Sequence, residues 1–321
     1  MASVAMVGAG AIGGWLADAF DRAGWRVGIV ARGATLAALR AVGLRVERDA
    51  EVRHSSPRVG SPEELGVQDY LLLTVKAQAL PELAPALAPL IGPETRVISA
   101  TNGIPWWFFA GFKGPLQDIG LHSVDPTGSQ RAVFPPGRSL GAVVHASVRV
   151  LAPAEIQVVA ADRFLLGEPA GPASEGALQV VAALRRGGVN ALVSTRIRAE
   201  IWAKLWGNMN MNPLSALTCS GTAALLADAD VRALCLAMME EMHACGLRLG
   251  LAGDITAEER IAVTQRLGDF KTSMLADLEA GRPLEFLPQL GAVVEIAERL
   301  DEPAPYCRAI LGLTRLRARN L

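Results

Sequence analysis

Only four lysines (Lys76, Lys113, Lys204 and Lys271) occur among the 31 basic residues of this 321-residue chain, so chemistry that needs an amine has few candidates. Basic and acidic residues nearly cancel, 31 against 32, for a net charge of −1. A protein held to nucleic acid by phosphate contacts shows a basic excess or patch, and none is visible here. No apolar run of about 20 residues is free of charge, so no membrane span is expected. The apolar start, Met1 to Phe20, lacks the basic n-region of a secretory signal, and a cytoplasmic protein is expected. The cysteines (Cys219, Cys235, Cys245, Cys307) have no CxxC spacing, which speaks against a zinc site or a disulfide framework. The histidines (His54, His122, His145, His243) form no metal-spaced pair, so no metal is expected.

Apolar matter, by contrast, is plentiful. Hydrophobic residues make up 51% of the chain and charged residues 20%, enough for a large core and too apolar for a disordered protein. At roughly 100–200 residues per domain, the length suggests two domains. Ser3 to Val7 reads as a buried strand, followed by a helical pattern from about Ile12 to Ala23. Further strands are expected at Trp25–Ala31, Asp69–Val75, Arg96–Ala100, Gly141–Val150 and Arg163–Gly167. Strand–helix–strand at this spacing indicates βαβ units and a parallel sheet. From about Thr195 helix follows helix: Arg196–Leu217, Ala229–Gly250, Ala257–Glu279, Leu284–Leu300 and Pro305–Arg319. The fold class expected is therefore α/β, a Rossmann-type parallel-sheet domain over residues 1–190 followed by an all-α domain over 191–321.

The first strand runs into Gly8-Ala9-Gly10-Ala11-Ile12-Gly13, and a helix opens there. In that context GxGxxG is a dinucleotide-binding loop. Gly8 permits the turn, Gly10 lets the backbone approach a pyrophosphate, and Gly13 lets helix and strand pack closely. The helix N-terminus offers unpaired N–H groups to the anion. The second strand ends in Ala31-Arg32-Gly33, with no acidic residue to take a ribose hydroxyl. A guanidinium there suits a 2′-phosphate, so NADP(H) is expected with Arg32 as its anchor.

Lys204 lies among Ile201, Trp202, Leu205 and Trp206, neighbours that would lower an amine pKa toward a useful range. Hydride transfer to a ketone builds negative charge on oxygen, which an ammonium stabilises and then protonates. Lys204, Asn208 and Asn212 are spaced four apart and share a helix face. Three asparagines, a poor helix former, just before Pro213 are hard to explain by stability alone. Lys76 follows the strand 69–75, at the carboxyl edge where open α/β sheets bind ligands.

Several motifs in fixed order resemble the ketopantoate reductase (2-dehydropantoate 2-reductase) family. They are Gly8 to Gly13, Thr74-Val75-Lys76-Ala77-Gln78, Thr101-Asn102-Gly103-Ile104, Arg198 to Asn208 leading into Asn212-Pro213, Lys271-Thr272-Ser273, and Gly281-Arg282-Pro283-Leu284-Glu285. The resemblance implies NADPH-dependent reduction of a 2-keto acid. It implies Lys204 as general acid, Glu285 as the second catalytic residue that positions Lys204 or the cofactor ribose, and Gly8 to Gly13, Arg32, Lys76 and Asn102 as cofactor-binding residues. It implies Asn102, Lys204, Asn208, Asn212 and Ser273 as substrate-binding residues. Domain closure that excludes water and a homodimer through the helical domain are further expectations.

This chain departs from the family pattern in three places. Trp106-Trp107-Phe108-Phe109 follows the Asn102 motif, as core packing or as the wall of an apolar pocket. The stretch 111–138 is long and irregular. Thr222 stands where an asparagine is usual, and Leu284-Glu285-Phe286-Leu287 replaces Thr-Glu-Ile-Asp. Ketopantoate remains the first substrate expected. The alternatives are a related NADP(H) hydroxy-acid dehydrogenase for a bulkier or more apolar acid, acting oxidatively, and a non-catalytic dinucleotide-sensing protein.

Overall fold

The computed structural model describes residues 1–321. Two compact units emerge: Met1–Thr101 with Thr127–Ile197, and Asn102–Pro126 with Arg198–Leu321. The split differs from a single cut at 190/191. The segment 102–126, which has no helical periodicity of its own, belongs with the helices.

The first unit is built on one ten-stranded sheet. Its strands are β1 (Ser3–Val7), β2 (Arg26–Val30), β3 (Leu44–Arg48), β4 (Glu51–Ser55), β5 (Arg58–Val59), β6 (Tyr70–Leu73), β7 (Arg96–Ser99), β8 (Ser139–Ala152), β9 (Glu155–Gly167) and β10 (Ala191–Val193). The order is β4-β3-β9-β8-β7-β6-β1-β2-β5, with β10 pairing β9. The α/β expectation holds, and the sheet is mixed: β3–β4 and β8–β9 pair antiparallel, the rest parallel. Strands β3 and β4 escape a periodicity reading because they are short and charged. Asp49 and Ala50, at φ 50° and 64°, turn the chain between them as a tight hairpin requires.

All five residues of β1 are buried, as befits a strand covered on both faces. Helix α1 (Ala11–Arg22) lays Trp15, Leu16 and Phe20 into the core of this unit. Strand β1 has β2 on one side and β6 on the other, so the chain order reverses about it. Ligands of open α/β sheets bind beyond the carboxyl ends of the strands at such a switch point. Both the glycine loop after β1 and Lys76 after β6 lie at that edge.

In the second unit the expected helix 257–279 is two helices, Ala257–Arg266 and Ser273–Glu279. Gly268, at φ 77°, and the Thr272 N-cap separate them. The expected helix from Leu284 starts instead as a π-helical turn, Leu287–Gly291, before regular α-helix resumes over Ala292–Leu300. The stretch 77–90 gives only short turns of helix, with Pro81, Pro85 and Pro89 breaking its continuity.

Candidate active site

Gly8 has φ 96°, and a Cβ there would lie 2.7 Å from Val75 Cγ1. The Thr74 hydroxyl donates to the carbonyls of Val7 and Gly8 at 3.0 and 2.8 Å, which ties the loop to the end of β6. At Gly13 a Cβ would stand 2.0 Å from the Gly8 carbonyl oxygen, so helix and turn meet with no room for a methyl group. Around Gly10 no atom lies within 4 Å of an added Cβ. Nor does a side chain cap the first turn of α1. Open space before uncapped N–H groups fits a pyrophosphate. Ala9, Ala11 and Ile12 complete this loop, and Lys76 lies half-buried two residues beyond Thr74. Arg32 is exposed two residues after the end of β2, at the N-cap of the helix Gly33–Val42.

The second unit carries a different cluster, on the helix Ile197–Thr218. Residues two apart on a helix point to nearly opposite sides, and that geometry divides the labour here. Trp206 Nε1 donates to the Met239 carbonyl at 2.8 Å, and Asn210 Nδ2 to the Cys235 carbonyl at 3.3 Å. These bonds fasten one face of the helix to its neighbour, Ala229–Leu249. Asn210 is therefore structural. The opposite face carries Lys204, Asn208 and Asn212.

Lys204 Nζ donates to Asn102 Oδ1 at 3.0 Å. Asn102 Nδ2 in turn lies 3.4 Å from Glu285 Oε2. An ammonium only donates and a carboxylate only accepts, so the orientation of the Asn102 amide is unambiguous. Burial pulls the half-buried Lys204 ammonium down to about 8, against the opposing pull of the Glu285 charge. Glu285 is itself 4% exposed. A low-pKa amine beside an oriented amide and a buried carboxylate can donate a proton to a developing alkoxide.

Two anchors hold the Asn102 segment. Gly103, at φ 85°, lets the chain approach the π-helical turn, where Ile104 N donates to the Pro288 carbonyl at 2.8 Å. Further on, Arg198 donates to the carbonyls of Phe108 and Ala110 at 2.7 and 2.5 Å. Trp106, Trp107, Phe108 and Phe109 are all buried, at 4% exposure or less, and Phe108 and Phe109 meet edge to face. Of the two readings of this cluster, burial favours core packing.

The structure brings together Asn102, Lys204 and Glu285. Asn208 is half-buried one turn beyond Lys204. Asn212 Nδ2 donates to Gln289 Oε1 at 2.8 Å. Ser273 is exposed, in the first position of its helix, and shows no hydrogen bond to this cluster. Thr222 is buried against Gly268 and Phe270, so its hydroxyl serves the loop between helices. Sequence reasoning missed Gln289. Its only signal was a polar residue four places after Glu285 in an apolar run. No group of three His, Cys, Asp or Glu side chains is placed to hold a metal ion. No helix is long and apolar enough to cross a membrane.

Sequence profiles of the ketopantoate reductase PanE/ApbA family match this chain, the main profile over residues 4–171 and the C-terminal one over 196–318. A 2-dehydropantoate 2-reductase of Mesorhizobium japonicum is 44% identical over 97% of this chain and 96% of its own. Among solved structures, a ketopantoate reductase candidate from Ralstonia solanacearum MolK2 superimposes with a TM-score of 0.95 at 42% identity, covering 100% of this chain and 98% of the other. The 2-dehydropantoate 2-reductase of Methylococcus capsulatus follows at 0.83 and 26%, with 98% and 96% covered. D-mandelate dehydrogenase in its ternary structure with NADH and anilino(oxo)acetate shares the fold, at a TM-score of 0.84 and 18% identity over 99% of this chain and 98% of that one.

Proposed function

This chain belongs to the ketopantoate reductase PanE/ApbA family, and on that premise we propose that it reduces a 2-keto acid to the 2-hydroxy acid with NADPH. Ketopantoate is the substrate we put first. The observation that carries the proposal is the Lys204 ammonium, lowered to about 8 and hydrogen-bonded to Asn102 beside Glu285. When bound, the nicotinamide supplies a hydride to the keto carbon. Lys204 stabilises the charge that grows on the keto oxygen and then gives it the Nζ proton. Asn102 aims the ammonium through Oδ1, and Glu285 holds Asn102 by its Nδ2. Asn208, Asn212 and Ser273 are the proposed substrate contacts.

For the cofactor, the residues Gly8 to Gly13 would take the pyrophosphate and Arg32 the 2′-phosphate, with Lys76 and Asn102 as further cofactor contacts. Two domains, a cytoplasmic location and a homodimer through the helical unit complete the reading. The terminal helix of that unit exposes Leu313 and Leu316.

A panel of 2-keto acids assayed with NADPH and NADH side by side tests the whole. Turnover of ketopantoate with NADPH is expected, and its absence across the panel would sink the proposal. Arg32→Ala is expected to raise KM for NADPH by roughly ten- to a hundredfold, the worth of one charge-assisted hydrogen bond, and to leave KM for NADH near its original value. An unchanged NADPH/NADH ratio would remove Arg32 from the cofactor site.

Glu285→Gln removes the charge that props up the Lys204 pKa. The amine then titrates below about 8, and the alkaline limb of the reduction profile moves toward lower pH. A limb that stays in place would show that Glu285 does not act on Lys204.

A further inference from the structure

The polarity of one amide in this cluster is fixed by a residue to which no role has been assigned. Gln289 Nε2 donates to the Glu285 backbone carbonyl at 2.6 Å. A carbonyl oxygen only accepts, so the nitrogen of Gln289 must face it and Oε1 must face the other way. Asn212 approaches that oxygen at 2.8 Å and must answer with Nδ2. Asn212 therefore turns Oδ1 away from Gln289. Reversing either amide alone would set two acceptors face to face. Gln289 is 1% and Asn212 6% exposed, so little water is at hand to relieve such a clash. The π-helical turn makes this possible by placing Gln289 under Glu285 and against the Lys204 helix.

An amide oxygen accepts from a hydroxyl and repels a carboxylate. We propose that Gln289 is a positioning residue that holds the Asn212 amide as an acceptor, and so selects a 2-keto acid carrying a hydroxyl beyond its keto carbon. The inference rests on the reductase reading above and narrows it. It assigns Asn212 to the hydroxyl end of the substrate and leaves the carboxylate to other donors. Asn212 lies two turns, about 12 Å of helix, from Lys204, and its side chain leans back toward it.

Ketopantoate and trimethylpyruvate differ by one hydroxyl group and test this directly. The purified protein should favour ketopantoate in kcat/KM by about tenfold or more, since a site built to bond a hydroxyl rejects the analogue without it. In Gln289→Met, which keeps the side-chain length and removes both hydrogen bonds, the amide is free to turn. The preference should fall toward unity, chiefly through a higher KM for ketopantoate. Equal use of both acids by the unaltered protein would overturn the proposal, whether or not the variant folds. A folded Gln289→Met that loses activity on both acids in parallel, with its preference intact, would overturn it too. If the unaltered protein reduces neither acid with NADPH, the reductase reading falls and takes this proposal with it.

Discussion

Replacing Lys204 by alanine is expected to lower kcat for keto-acid reduction by about a hundred- to ten-thousandfold, the usual contribution of a positioned general acid. The reason is local. Among the residues gathered here, Lys204 is the group that can both stabilise an alkoxide and deliver a proton, because Asn102 and Asn212 are neutral amides and Glu285 carries the opposite charge. Affinity for the dinucleotide should persist, since the glycine loop belongs to the other unit. The unaltered protein carries its own check. Lys204 titrates at about 8, so the reductive rate is level below that pH, where the ammonium is charged, and falls about tenfold per unit above it. In the oxidative direction the neutral amine is the base, and the rate rises through the same pH. Folding responds with a definite sign. The amine is held below its ordinary value of 10.5, so the unfolded chain binds the extra proton between about 8 and 10.5 and stability rises with pH across that window. Steady-state kinetics and urea melts across pH 6 to about 10.5 cover both effects. A Lys204→Ala protein that turns over normally would end the assignment.

Gly103→Ala should be the most damaging single-methyl change beside the Asn102–Lys204–Glu285 cluster. Gly103 has φ 85°, and its added Cβ would stand 2.2 Å from the Pro288 carbonyl oxygen and 2.5 Å from the carbonyl carbon. Neither is the end of a flexible side chain, so backbone must move. The left-handed conformation alone costs about 1–2 kcal/mol for a residue with a Cβ. Separation of the Gly103 segment from the π-helical turn would also lengthen the Ile104–Pro288 hydrogen bond and pull Asn102 from Glu285. We expect a loss of about 3–5 kcal/mol in stability, from the top of the usual range for a point change upward, together with a fall in kcat. Gly111→Ala is the matched control: φ is 60°, but nothing lies within 4 Å of the new Cβ. Equal melts for the two variants would show that the contact with Pro288 does not constrain the site.

The features readable along the chain were those carried by neighbours in sequence. The glycine loop announced itself because turn, close approach and helix start fall within six residues after a strand. The face shared by Lys204, Asn208 and Asn212 followed from helical period alone, because an α-helix returns to the same side every four residues or so. The same logic could not separate Asn210, whose burial against Cys235 depends on a helix 25 residues away. Nor could it split the long run 257–279 into two helices, since a lone glycine is tolerated in many helices.

Motif resemblance pointed to Asn102 and Glu285, but only the folded chain decided what they touch. Asn102 lies 102 residues from Lys204 and 183 from Glu285. No local periodicity spans such distances. The segment 102–126 shows why: its irregular backbone has no pattern of its own, and it is placed by Gly103 against Pro288 and by Arg198 on the carbonyls of Phe108 and Ala110. The π-helical turn is a further decision of the tertiary structure, and through it Gln289 sets which atom Asn212 presents. Residue type and period along the chain determined which groups could do chemistry here. Packing between distant segments determined their orientation, because a hydrogen bond's direction depends on the partner it meets.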